Sequence, residues 1–116
     1  MIKLYHYPQC STCRKARRWL EEHGVEHELV DIVKHPPTKS QLAAILRASG
    51  KPVAKLFNTS GVSYREGDWK TRLAKTSESA ALDALAADGK LIKRPLLVGD
   101  GIVLVGFRED EYAAAF

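Results

Sequence analysis

The stretch Ile2-Lys3-Leu4-Tyr5-His6-Tyr7-Pro8-Gln9-Cys10-Ser11-Thr12-Cys13-Arg14-Lys15-Ala16 decides the fold. Its opening alternates Ile2, Leu4 and His6 against Lys3 and Tyr5, the two-residue period of a short strand, and Tyr7-Pro8-Gln9 ends that strand. The period then changes. Cys13, Ala16, Trp19, Leu20 and His23 recur at helical spacing, which predicts a helix over 11–23 with one mainly apolar stripe turned inward and Gly24 as its stop. Leu29, Val30, Ile32 and Val33 supply a second strand-like run. Strand, helix and strand this close make a β-α-β unit with parallel strands and a right-handed crossover.

Beyond this unit Pro36-Pro37 breaks the pattern, and Thr38-Lys39-Ser40-Gln41 has the form of a capping box ahead of Leu42, Ile45 and Leu46. Between 52 and 75, apolar positions (Val53, Leu56, Phe57, Tyr64, Trp69, Leu73) alternate with the turn formers Asn58, Gly61 and Gly67, so short helices and loops are expected. Ser77 can cap a helix carrying Ala81, Leu82, Leu85 and Ala86, with Gly89 as its stop. Strand character returns at Leu96-Leu97-Val98 and Ile102-Val103-Leu104-Val105, joined by Gly99-Asp100-Gly101, and Asp-Gly between apolar runs signals an antiparallel hairpin. A last helix from Arg108 to Phe116 would lay Tyr112 and Phe116 against the sheet. In order this is β-α-β, a mostly helical insertion over 34–90, then β-β-α: an α/β domain spanning 1–116 with a mixed four-stranded sheet.

One core suits 116 residues of which 45% are hydrophobic. No run approaches the roughly 18 apolar residues of a membrane span and no signal-peptide segment is read, so a cytoplasmic protein is expected. The net charge of +4 is spread among many acids, which argues against direct nucleic-acid binding. The two cysteines stand three positions apart and cannot staple a secreted scaffold, so they need a local, chemical reason.

A cysteine attacks as the thiolate, and a residue just before a helix start meets unpaired backbone N–H groups and the positive end of the helix dipole. Cys10 is therefore the expected nucleophile. Cys13, one turn on, is placed to attack a mixed disulfide or adduct on Cys10 and release product, which makes it the resolving thiol. Ser11 and Thr12 can cradle an oxyanion at the same helix start or cap the helix. Of the cations Arg14, Lys15, Arg17 and Arg18, Arg14 is assigned to the anion and the others to a solvated face beside Glu21 and Glu22. Zinc would need about four ligands, and His6, His23, His27 and His35 have no finger-like spacing, so no metal site is expected.

The segment from Tyr5 to Ala16 resembles the opening of the arsenate reductase-like family, which includes the Spx-type regulators. The likeness continues through Pro36-Pro37-Thr38, Leu56-Phe57-Asn58-Thr59-Ser60-Gly61, Arg94-Pro95 and Val105-Gly106-Phe107. It implies a thioredoxin-like fold, with Arg94 opposite the reactive cysteine as part of the catalytic and oxyanion site and Pro95 as a structural cis-proline. It also implies a thiol-based oxidoreductase with an oxyanion or thiol substrate and no bound cofactor. Glutathione or another thiol would be the reductant, and glutaredoxin or thioredoxin the protein partners. The sequence departs from the glutathione-linked arsenate reductases in two ways. Asn58 stands for the first of their three arginines, with only Arg108 as an offset candidate for the third, and Cys13 is a feature of the Spx-type branch. The alternative is therefore a redox-sensing regulator that contacts RNA polymerase through a Cys10/Cys13 switch.

Overall fold

A computed structural model describes residues 1–116. The elements in chain order are β1 (Ile2–His6), α1 (Ser11–Glu22), β2 (His27–Asp31), α2 (Lys39–Ser49), α3 (Val62–Glu66), α4 (Trp69–Arg72), α5 (Glu78–Ala87), β3 (Leu96–Gly99), β4 (Ile102–Val105) and α6 (Glu109–Ala115). Short 3-10 turns lie at Val53–Leu56, Leu73–Lys75 and Gly89–Leu91. The chain forms two compact units, Met1–Asp31 with Arg94–Phe116, and Ile32–Lys93.

In the first unit the four strands are ordered β2-β1-β3-β4. β1 runs parallel to β2, with Leu4 opposite Leu29, and antiparallel to β3, with Leu4 opposite Leu97. The central strand is buried at Ile2, Leu4, Tyr5 and His6, and Cys13, Ala16, Trp19 and Leu20 form the buried face of α1. Ile2, Leu4, Ala16, Trp19, Leu20, Leu97 and Tyr112 make one apolar cluster. Burying each leucine of this kind contributes about 1.5–3 kcal/mol. The β3–β4 connection has φ of 51° at Asp100 and 78° at Gly101. Positive φ at both central positions is the tight hairpin turn whose twist matches the strands, and glycine adopts it without a steric penalty.

The second unit is built from short helices. Thr38 caps α2 in a complete capping box with Gln41, and Ser77 caps α5 by accepting from the Ala80 N–H. α2 packs on α5, and Lys39 Nζ reaches Asp83 Oδ2 at 3.1 Å across their exposed rim. Leu42, Ile45, Leu56, Phe57, Trp69, Leu85 and Ile92 are buried, with the Phe57 and Trp69 rings 5.3 Å apart.

Four readings of the sequence require correction. The second strand occupies His27–Asp31, not the apolar run ending at Val33, because its span is set by parallel pairing with β1, while Ile32 is buried in the second unit. His23 does not join the inward stripe: it is the exposed C-cap of α1, stacked on the Trp19 ring at 3.8 Å, with its Nδ1 2.8 Å from the Trp19 carbonyl oxygen. Gly89 is no helix stop, since α5 ends at Asp88 in extended backbone; Gly89 is buried where a Cβ would overlap the carbonyl oxygen of Ile32. Finally, Tyr112 is fully buried as expected, but Phe116 remains 42% exposed at the end of the chain.

Candidate functional site

Cys10 is the N-cap of α1, with extended backbone at φ −88° and ψ 114°, and its own N–H is tied to the Tyr7 carbonyl oxygen at 3.0 Å. This clamps the turn between β1 and α1. The Cys10 sulfur accepts the backbone N–H of Cys13 at 3.2 Å, so capping falls to a thiol and not to Ser11 or Thr12, which lie exposed in the first turn. The helix begins at Ser11, so both hydroxyls lie inside its first turn, past the cap position. No carboxylate lies in that turn to neutralise its positive end.

Both cysteines are free thiols, but they differ in setting: Cys10 is half-buried and Cys13 fully buried on the core face of α1. Burial pushes the Cys13 thiol up to about 12, and the Cys10 side chain, through a hydrogen bond and through its charge, adds to the rise. Two contacts oppose it: a hydrogen bond from the Tyr7 backbone and the positive charge of Arg94. The Arg94 guanidinium lies 5.0 Å from the centre of the Tyr7 ring, within cation–π range. Arg94 precedes β3 and its bond to the buried Pro95 is cis.

Arg14 Nη1 donates to the Pro8 carbonyl oxygen at 3.0 Å, bracing the loop before Cys10 while the rest of the guanidinium is exposed. Arg17 departs from the predicted solvated face. It is half-buried, its Nε is shielded from solvent with no partner, and its charge lies near the buried His6. Burial first and Arg17 second hold His6 below its ordinary range, against an opposing pull from Asp31. Arg108 is paired at the surface with Asp110 at 3.1 Å, and the Asn58 side chain accepts from Ser60 at 3.3 Å in its own loop. No group of three or more His, Cys, Asp or Glu side chains is arranged to hold a metal ion.

Sequence reasoning thus singles out Cys10, Cys13 and Arg94, and the structure brings an electrostatic influence of Arg94 and a direct contact from Cys10 onto Cys13. It misses Tyr7, whose backbone and ring serve Cys13 and Arg94 respectively. The available signal was its place in the turn between the strand and the first cysteine. The buried hydroxyl of Tyr112 had no sequence signal, because an inward tyrosine reads as core.

The model of the ArsC family matches residues 5–115. The chain belongs to the ArsC family. Its fold is the thioredoxin-like fold of that family. It is 49% identical over 111 residues to the uncharacterized protein YusI of Bacillus subtilis, covering 96% of this chain and 94% of that one. It is 29% identical to the global transcriptional regulator Spx of Streptococcus pyogenes, covering 98% of this chain and 84% of the regulator. Among solved structures it superimposes with a TM-score of 0.92, at 42% identity, on a Streptococcus mutans protein described as "a possible arsenate reductase" (100% and 98% of the two chains). These relationships support a thiol-based redox protein. No helix is long and apolar enough to cross a membrane.

Proposed function

We propose that this ArsC-family chain is a cytoplasmic thiol oxidoreductase in which Cys10 attacks an oxyanion or a disulfide and Cys13 resolves the product. The observation that carries the reading is the inequality of the two thiols: Cys10 sits at the open helix start, whereas Cys13 is buried and its thiol is pushed up to about 12. With a disulfide substrate, Cys10 Sγ forms a bond to one sulfur and the other leaves as thiolate. Cys13 Sγ then bonds to Cys10 Sγ and expels the second thiolate. Two protein thiols become one disulfide, and the substrate gains the two electrons. With arsenate, Cys10 displaces one oxygen as water to form an S–As bond. Attack by Cys13 returns that bond's electron pair to arsenic, giving arsenite.

The timing follows from the contacts on Cys13. In the dithiol, Cys10 opposes ionisation of Cys13; once Cys10 carries an adduct, that opposition is gone and the Tyr7 hydrogen bond and the Arg94 charge remain in favour of the anion. Arg94, Arg14 and the first turn with Ser11 and Thr12 are the groups assigned to the oxyanion. Glutathione, glutaredoxin or thioredoxin would reduce the resulting disulfide.

A second reading, a redox regulator that contacts RNA polymerase, is favoured by the Cys10/Cys13 pair and by the Spx relatives. One paired experiment separates the two: arsenate-dependent thiol oxidation, measured beside polymerase capture from lysate with reduced and oxidised protein. Turnover that is lost in Cys10→Ser and weakened in Arg94→Ala supports the enzyme. Polymerase capture that changes with oxidation, without turnover, supports the regulator.

A further inference from the structure

Of the cations carried by α1, Arg17 and Arg18 have no part in the steps above. Arg14, Arg17, Arg18 and Glu21 follow Cys10 by four, seven, eight and eleven residues. Whole turns of an α-helix fall at about 3.6, 7.2 and 10.8 residues, so these four side chains form one stripe that runs down α1 from the reactive sulfur. Together they line an open depression of about 220 Å³. Lys15 lies outside the stripe, in a separate depression with Trp19 and Phe107. The three arginines are in no ion pair, Glu21 and Glu22 included. With Arg17 N-terminal to Glu21, the pair has the less favourable orientation for an i,i+4 contact. Two of the arginines are nevertheless held in place: Arg14 by the Pro8 carbonyl oxygen, and Arg17 by its half-buried stem, whose Nε is shielded from solvent. The face beside the nucleophile is thus a row of uncompensated cations, partly ordered in advance.

We propose that Arg17 and Arg18 are specificity-determining residues, which select disulfides whose sulfur is carried on a short peptide bearing carboxylates. The proposal rests on the reading of Cys10 as the attacking thiol. The Cys10 thiolate bonds to the near sulfur of such a disulfide, the far half leaves as a thiolate, and the retained half lies along the stripe. The lengths agree. At 1.5 Å of rise per residue, Arg17 and Arg18 stand about 10 and 12 Å beyond Cys10 along the helix axis. An extended tripeptide spans about 10 Å. A carboxylate at the end of a peptide arm therefore reaches a guanidinium that can bind it through two hydrogen bonds, and Glu21 at the far end suits the peptide's ammonium group. Cations already held in place lose less side-chain freedom when the ligand arrives. A neutral disulfide gains nothing from the stripe.

The test uses reduced full-length protein and two disulfides, glutathione disulfide as the anionic peptide and bis(2-hydroxyethyl) disulfide as the neutral one. Acid quenching and mass spectrometry give the rate constant for oxidation by each. The quantity read is their ratio, which cancels any change in the nucleophilicity of Cys10 that loss of a nearby charge brings. In Arg17→Gln/Arg18→Gln the preference for glutathione disulfide should fall about tenfold, the effect of two partly exposed ion pairs. Arg18→Gln alone, at an exposed position that does not threaten folding, should lower it about threefold. Arg17→Lys/Arg18→Lys should keep most of the preference. Added salt should lower the ratio in native protein and leave it flat in the double glutamine variant. A native ratio in both glutamine variants would overturn the proposal, as would equal slowing with the two disulfides or the same salt dependence in native and variant protein. If neither disulfide modifies Cys10 of native protein, the reading of Cys10 as attacking thiol falls first, and the proposal with it.

Discussion

The backbone N–H of Cys13 donates to the Sγ of Cys10 at 3.2 Å, so the first thiol caps the helix that carries the second. A short polar acceptor is what a helix N-cap requires, and serine is among the best while alanine leaves the donor unpaired. Under reducing conditions Cys10→Ser should be at least as stable as native protein, whereas Cys10→Ala should lose about 1 kcal/mol. Urea denaturation of the three proteins reads the difference. Equal stability of the serine and alanine variants would remove the cap from the account of this site.

His6 gives the first unit a dependence on acid. Its folded pKa lies below the ordinary 6.5 because of burial and of Arg17, so the unfolded chain takes up this proton more readily. The associated stability is present above pH 6.5 and is lost as the pH falls through the lower, folded value. The Tm should therefore drop on acidification below 6.5, less steeply in His6→Leu, and Arg17→Ala should shrink the drop by removing the second cause. Identical slopes in native protein and His6→Leu would assign the acid loss to other groups.

Gly89 tests the packing of the second unit. A Cβ there would overlap the Ile32 carbonyl oxygen and stand 2.8 Å from the Ile32 carbonyl carbon, and backbone atoms yield far less readily than the end of a flexible side chain. Gly89→Ala should cost about 1–3 kcal/mol, the usual range for overpacking. A thermal melt that matches native protein would show that the contact relaxes freely.

What was legible in the sequence was whatever local chemistry decides. Thr38 and Gln41 announce their capping box, and Asp100-Gly101 announces a turn with positive φ, because each depends on residues within a few positions of itself. The span of β2 was not legible, because register with β1 selects His27–Asp31 over the more apolar residues that follow. Gly89 has a helix-stop signature and a different physical role, one created by Ile32 far away in sequence. At the site, Cys10 and Cys13 stand out by spacing, but which thiol is shielded, and by what, is a tertiary property: burial, the Tyr7 backbone and Arg94 converge on Cys13 from three segments of the chain. The shielding of Arg17 Nε, on a helix face rich in charge, was hidden for the same reason.

The division of labour between the two thiols is tested most directly by alkylation. Reduced protein treated near neutral pH with limiting iodoacetamide should carry the label on Cys10, because Cys13 is fully buried and its thiol, pushed up to about 12, holds its proton there. Peptide mapping by mass spectrometry locates the label. Carbamidomethylation confined to Cys10 at low reagent is the predicted result, and preferential labelling of Cys13 would contradict the assignment of nucleophile and resolver.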